Sequence, residues 1–341
     1  MGTPAMTSLP VRPRTRAKSI SKGDSKIHPS LQPPLKPIMA SSQIKNVIVV
    51  GASGSVGRPT LKALLEEDFQ VTGLTRQSSS ATLPEGVRHL TTDFSEASLL
   101  EAFKNQDAVV SALTSSQSDA LVLQKKLVDA AIAAGVKVFV PSEYGIDTAD
   151  GTAPKYVPAL GDKIEVVKYL KERQDKISWT AIVTGAIFDW GLDLPGFGGL
   201  NVAARTVTIF DGGDIPFDAT NLGQVGKAIA KTLKRPDLTQ NQHIYVNSFT
   251  VTQNKVLEAL EKATGDKFAV SRGSVEELWR GGAAQLEQGQ PLGILAMIAG
   301  ALYGKGGLAY FSTTKELWNE KLALPQEDLD EFIGNYVRGK N

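Results

Sequence analysis

Four consecutive apolar residues, Val47, Ile48, Val49 and Val50, stand directly before Gly51-Ala-Ser-Gly54-Ser-Val-Gly57, and a segment of helical period follows at once. Unbroken apolar character over so short a run predicts a strand buried on both faces, as in a parallel sheet covered by helices. The glycine spacing suits a strand-to-helix turn that approaches a phosphate. Gly51 allows a tight turn, Gly54 leaves bare backbone, and Gly57 lets the helix pack closely on the strand. A helix N-terminus adds free amides and a partial positive charge. Gly51, Ser53, Gly54, Ser55, Val56 and Gly57 are therefore the expected cradle of a dinucleotide pyrophosphate. The plainer reading is a turn that binds nothing.

Downstream, strand and helix patterns alternate. Strands are expected at 44–50, 70–75, 87–91, 108–113, 136–140 and 178–183, and helices at 55–66, 96–103, 121–134 and about 159–173. That order predicts a doubly wound α/β domain, a Rossmann-type parallel sheet with right-handed crossovers, over residues 44–185. After Gly185 the texture changes. Residues 192–199 are rich in Gly and Pro, a strand is expected at 206–210 and another at 243–246, and helices at 222–233 and 255–264. Residues 186–341 are read as a smaller C-terminal substrate-binding lobe closing over the sheet's carboxyl edge, with some elements returning to that sheet. The apolar stretch 292–303 is about half of the ~20 residues a bilayer needs, so it reads as a helix of this lobe.

Composition removes several function classes. The 341 residues contain no cysteine, which excludes disulfides, thiolate metal sites and cysteine nucleophiles, and the three histidines are scattered. A formal net charge of +1 argues against nucleic acid or an anionic membrane as partner. Residues 1–43 stand apart as a basic, proline-rich tail: positions 1–40 hold seven Lys/Arg, one acid and seven of the 17 prolines. Such a segment is expected to be disordered. It reads as a solvated arm, as the upstream part of a chain whose native start is Met39, or as a mitochondrial transit peptide. The rest is expected to be cytoplasmic, metal-free and partnered by a small molecule.

The second strand runs into Thr75-Arg76-Gln77-Ser78-Ser79-Ser80, with no acid before Glu85. A site for NAD would place a carboxylate here on the ribose 2′-hydroxyl. Arg76 instead suits a 2′-phosphate, so NADPH is the expected cofactor. Asp93 and Phe94, after the third strand, could flank adenine, and Ser111, Ala112 and Leu113, ending the fourth, could lie along the ribose and nicotinamide; each group is equally explicable as loop chemistry.

Hydride chemistry also needs an acid–base group. The Tyr-x-x-x-Lys pair is absent from the expected region, because Thr148, Leu160 and Arg173 follow Tyr144, Tyr156 and Tyr169 four places on. Lys163 is the candidate. Leu160, Lys163, Val167 and Leu170 share one helix face, and a lysine inside an apolar stripe costs desolvation that lowers its pKa toward neutrality. The alternative is a lysine that snorkels to water.

The segments Gly51–Gly57, Thr75-Arg76, Thr92-Asp93-Phe94 and Val136-Lys-Val-Phe-Val-Pro-Ser-Glu-Tyr-Gly145 together resemble the NmrA-like and isoflavone-reductase-like branch of atypical short-chain dehydrogenase/reductases. The last is similar to that family's V-K-R-F-x-P-S-E-F-G signature, with Tyr144 at its final aromatic. Trp179-Thr-Ala-Ile-Val-Thr-Gly185 and Phe188-Asp-Trp-Gly191 are similar to stretches of fungal members. The resemblance implies NADPH in the glycine turn, Arg76 on its 2′-phosphate, and a catalytic lysine at Lys163. Plant members carry a second lysine about where Glu85 stands and a basic residue where Val167 stands, so their substrates are not carried over. The implied activity is NADPH-dependent reduction of a small aromatic or conjugated carbonyl-type metabolite. The same branch contains non-catalytic NADP(H)-sensing regulators that act through a protein partner, which is the rival expectation.

Overall fold

In the computed structural model, which describes residues 43–114 and 119–339, the first half builds one layered unit. Its elements are β1 (Asn46–Val50), α1 (Gly57–Glu66), β2 (Gln70–Arg76), β3 (Arg88–Thr92), α2 (Glu96–Phe103), β4 (Ala108–Ser111), α3 (Ala120–Ala133), β5 (Val138–Val140), α4 (Gly161–Lys171) and β6 (Ser178–Val183). Then follow β7 (Ala186–Ile187), α5 (Phe188–Asp193), β8 (Leu200–Asn201), β9 (Thr206–Phe210), β10 (Phe217–Thr220), α6 (Leu222–Lys234), α7 (Pro236–Thr239), β11 (Gln242–Tyr245) and β12 (Phe249–Val251). The chain continues through α8 (Gln253–Thr264), β13 (Ala269–Gly273), α9 (Val275–Glu287), α10 (Gly293–Leu302) and α11 (Leu329–Val337).

Seven strands pair in the order β11-β6-β5-β4-β1-β2-β3, every pairing parallel. The period of two explains why helices cover both faces. Val47 and Val49 point into the core under α1 and α6, whereas Ile48 and Val50 point into the core under α2, α3 and α4. Val110 and Val140 share the first core, Val109 and Phe139 the second. Each such side chain, taken fully out of water, stabilises by roughly 1.5–3 kcal/mol. The fold is a doubly wound α/β sheet.

Two small sheets, β12-β10-β7 and β13-β9-β8, carry a third core with α8, α10 and α11. β11, from the later half, closes the edge of the large sheet beside β6, and α6 packs on α1. Several boundaries differ from expectation for local reasons. β4 stops at Ser111 because the next backbone turns toward the glycine loop, where Ala112 N–H donates to Val50 at 2.8 Å. α1 begins at Gly57, since Ser53–Val56 are occupied by the turn itself. Short 3-10 turns at Ala153–Lys155 and Pro158–Leu160 precede α4, each with a proline in its first two positions that cannot extend a longer helix backward. The expectations for residues 1–42 lie outside the described residues. Among the described residues no helix is long and apolar enough to cross a membrane, and no cluster of three His, Asp or Glu could hold a metal.

Candidate active site

The carboxyl ends of β1, β2, β4 and β5 and the start of α1 open onto a cleft with room for about 510 Å³. At one end is the glycine turn. Gly51 has φ +83°, and a Cβ there would come within 2.7 Å of the Ala112 carbonyl oxygen. Gly57 sits where a Cβ would lie 2.2 Å from the Gly51 oxygen, so α1 presses directly on the turn. Gly54 N–H donates to the Gly51 carbonyl at 3.0 Å, which folds the loop into a compact arc. No side chain caps α1, leaving the amides of its first turn without a side-chain acceptor. Arg58 braces the loop from outside, donating to the Ser53 and Thr82 carbonyls at 3.3 and 3.1 Å.

Gly51, Ser53, Gly54, Ser55, Val56, Arg76, Phe94, Ala112, Leu113 and Lys163 all line the cleft. Three expected residues do not. Gly57 shapes the turn from behind. Asp93 accepts from the Ser95 N–H at 2.8 Å, and that bond holds its carboxyl below the usual range, so it serves the loop before α2. Ser111 is fully buried at the end of β4.

Arg76 ends β2 exposed at the cleft's rim, with no ion pair among the described residues. Phe94 adopts φ +61°, a left-handed conformation costing an L-residue roughly 1–2 kcal/mol. Its N–H donates to Thr92 Oγ1 at 2.9 Å and its carbonyl accepts from Lys126 at 3.3 Å, which hold its backbone where the residue lines the cleft. Farther along, Ser142 donates to the Leu113 carbonyl at 2.6 Å, tying the β4 and β5 loops together.

Lys163 lies in the first turn of α4 and is buried, only 6% exposed. Leu160, Val167 and Leu170 of its stripe are buried with it. Its Nζ donates to the Tyr144 carbonyl at 3.3 Å. Burial pushes its pKa down, opposed by the negative charge of Glu143. Glu143 is itself buried and accepts from Thr148 Oγ1 at 2.5 Å; burial pushes its pKa up, with Lys163 acting against that. Amine and carboxyl are thus both buried and close enough for each charge to act on the other, with Lys163 lining the cleft.

Other lining residues were not singled out as site residues from the sequence. Ser142 and Tyr144 lie in the Val136–Gly145 segment and Trp190 in Phe188–Gly191, both marked only by resemblance. Ile187 and Leu222 carry no sequence signal. Leu222 arrives because the Asp189 carboxylate accepts its N–H at 3.0 and 3.1 Å, across 33 residues. Behind Ile187 lies a second, apolar cavity of about 60 Å³, walled by Phe188, Phe197, Phe217 and Tyr303.

"Oxidoreductase aprR" of Aspergillus flavus is 37% identical over 302 residues, covering 86% of this chain and 99% of that protein. Pinoresinol reductase 2 of Arabidopsis thaliana is 31% identical over 238 residues, 64% of this chain and 74% of that protein. The solved structure described as AtPrR2 with NADP+ and (+)pinoresinol superposes with a TM-score of 0.71 at 25% identity, covering 87% of this chain and all of that one. Residues 43–333 match the NmrA-like family over nearly the whole described length, and the chain belongs to that family.

Proposed function

We propose that this protein is an NADPH-dependent reductase of a small aromatic or conjugated carbonyl-type metabolite, with Lys163 as its acid–base group. The single observation that carries the reading is a buried amine in a cleft that also holds a bare glycine turn and an arginine with no ion pair among the described residues. The relative named an oxidoreductase and the fold shared with an NADP+-bound reductase support the same class.

The residues fit the cofactor. The Ser53, Ser55 and Val56 amides of the turn and the uncapped start of α1 would hold the pyrophosphate, Arg76 the 2′-phosphate, and Phe94 would flank adenine. When bound, NADPH supplies hydride from the nicotinamide. Lys163 supplies the proton. An ammonium whose pKa has been lowered by burial is a stronger acid than a surface lysine, so it protonates the substrate oxygen as the carbon accepts hydride. The neutral amine then regains a proton from solvent. Residues 44–185 carry the cofactor half, and Ile187, Trp190 and Leu222 of 186–341 close the substrate half and exclude water. The apolar cavity behind Ile187 favours a substrate with an aromatic or alkyl arm.

The test is NADPH oxidation across enones, aromatic ketones and quinones, with wild type and Lys163→Met. Turnover is expected to fall by about 10²–10⁴-fold in the variant while NADPH affinity changes little. If wild type oxidises NADPH with no member of the panel yet discriminates NADP+ from NADPH in partner pull-downs, the sensor reading replaces the enzyme.

A further inference from the structure

Lys163 carries an amine into a buried position, and the chain places a buried acid on the turn that seats it. Glu143 is 1% exposed. Lys163 Nζ donates to the carbonyl of Tyr144, the residue next to that acid. A Cβ at Gly145 would stand 3.7 Å from Nζ and 3.9 Å from the Glu143 carbonyl oxygen, so the amine rests over residues 143–145. The carboxyl accepts from Thr148 Oγ1. Glutamine would fill the same space and accept the same bond. The negative charge is therefore the part that packing and hydrogen bonding do not explain, and a buried charge is costly unless another offsets it.

The surroundings single out Lys163 as the group that charge serves. No ion pair within 4 Å engages Glu143, so the two charges act on each other through buried protein and not through a direct bond. From its own loop, Asp147 works against ionisation of Glu143. Asp147 is engaged elsewhere: it accepts from the Tyr245 hydroxyl of β11 at 3.2 and 3.3 Å and has Lys315 and Asp150 near it. Among the described residues, Glu143 is the charge that acts on the Lys163 amine.

We propose that Glu143 is a positioning residue of the reductase: its carboxylate acts through Lys163, keeping the ammonium charged and seated on the Tyr144 carbonyl until the substrate oxygen takes the proton. The carboxylate itself neither gives nor takes a proton. Once the amine is neutral, the uncompensated carboxylate favours its recharging from solvent. This rests on the reductase reading, and the experiment separates the two.

The test is the pH profile of kcat at saturating NADPH for wild type, Glu143→Gln and Asp147→Asn, with the enone, ketone or quinone that wild type reduces fastest. Removing the carboxylate makes the ammonium easier to deprotonate. In Glu143→Gln the limb on which activity is lost with rising pH should therefore move to lower pH by about one unit or more. A merely structural role would lower the rate at every pH and leave that limb in place. An unmoved limb, a shift to higher pH, or an equal acidward shift in Asp147→Asn overturns the proposal. Thermal melting gives a readout that needs no turnover. Lys163→Met strands the acid and Glu143→Gln strands the amine, so the double variant should lose less than the two single losses summed. Additive losses overturn the proposal. Should Glu143→Gln fail to fold alone, recovery of folding in the double variant supports the pairing and continued failure overturns it. Turnover that survives with an unmoved limb removes this role alone, whereas wild type that oxidises NADPH with no member of the panel removes the reductase reading and this role with it.

Discussion

α1 is squeezed between two backbone contacts, which allows stability and cofactor binding to be separated. On one side, a Cβ at Gly57 would lie 2.2 Å from the Gly51 carbonyl oxygen and 2.9 Å from that of Ala52. On the other, a Cβ at Gly226 of α6 would lie 2.6 Å from the Pro59 carbonyl oxygen. Both distances are far inside van der Waals contact, and in each case backbone must move. Overpacking of this kind costs typically about 1–3 kcal/mol. Domains of 150–250 residues lose roughly 2–4 °C per kcal/mol, so Gly57→Ala and Gly226→Ala should each lower the melting temperature by several degrees. Their effect on NADPH should differ. Gly57→Ala drives α1 off the turn, misplacing amides that would face the pyrophosphate, and a hydrogen bond to a charged group is worth about 1.5–3 kcal/mol. Weakening of at least about tenfold is expected for that variant alone. Gly226→Ala shifts the opposite side of α1 and should bind NADPH within about threefold of wild type, a difference below 1 kcal/mol. Fluorescence titration with NADPH and thermal melting of the unliganded proteins give both quantities. Equal weakening in the two variants, or a destabilised Gly57→Ala with wild-type affinity, would refute the placement of phosphate on this turn.

Arg76→Ala should weaken NADPH far more than NADH in the same titration, since the guanidinium has no ion pair among the described residues and is proposed to meet the 2′-phosphate; an unchanged preference would reassign that contact. The pH profile of kcat should show activity lost as pH rises through the pKa of Lys163, with the midpoint below the ordinary lysine value of ~10.4, because the proton donor is the charged form and burial disfavours it. A limb at or above that value would show that Lys163 titrates in water. Asp189→Ala removes the acceptor for the Trp190 and Leu222 N–H groups, and should cost about 1–2 kcal/mol by denaturant unfolding while raising KM more than it lowers kcat.

The cofactor half was legible because its signals are local. One apolar run, three glycines and the residue ending β2 lie within 30 positions, and each restricts backbone or charge on its own. The helix stripe through Lys163 was legible for the same reason: Leu160, Val167 and Leu170 report burial by spacing alone, and all are buried. Asp93 was misleading because an acid just before a helix serves two purposes equally well. The structure places its carboxylate on the Ser95 N–H and not on the cleft. β13, α5, α9 and α11 passed unread: β13 is largely exposed, and the helices are shaped by contacts with distant segments.

The substrate half was opaque for a different reason, and it bears on how such a family changes substrates. Ile187, Trp190 and Leu222 reach the cleft through β7, a two-residue strand, through α5, a six-residue helix, and through the Asp189 bond to the start of α6. None of these has a period long enough to be read, and none is fixed by the sheet that fixes Gly51 or Arg76. Trp190 is held edge-on against Phe197 at 5.4 Å, and Phe197 in turn walls the apolar cavity. A change at Phe197 therefore alters cavity and cleft together while the cofactor turn, braced by β1, β2 and α1, stays where it is. On the proposed reading the cofactor turn is held at the sheet edge and Lys163 at the start of α4, whereas selectivity falls to short segments whose positions depend on one another. Substitutions in residues 186–200 should accordingly shift KM among aromatic substrates while leaving NADPH affinity intact, as steady-state kinetics of Phe197→Leu against wild type would show. A loss of NADPH affinity in that variant would mean that the two halves are mechanically coupled and do not have separate supports.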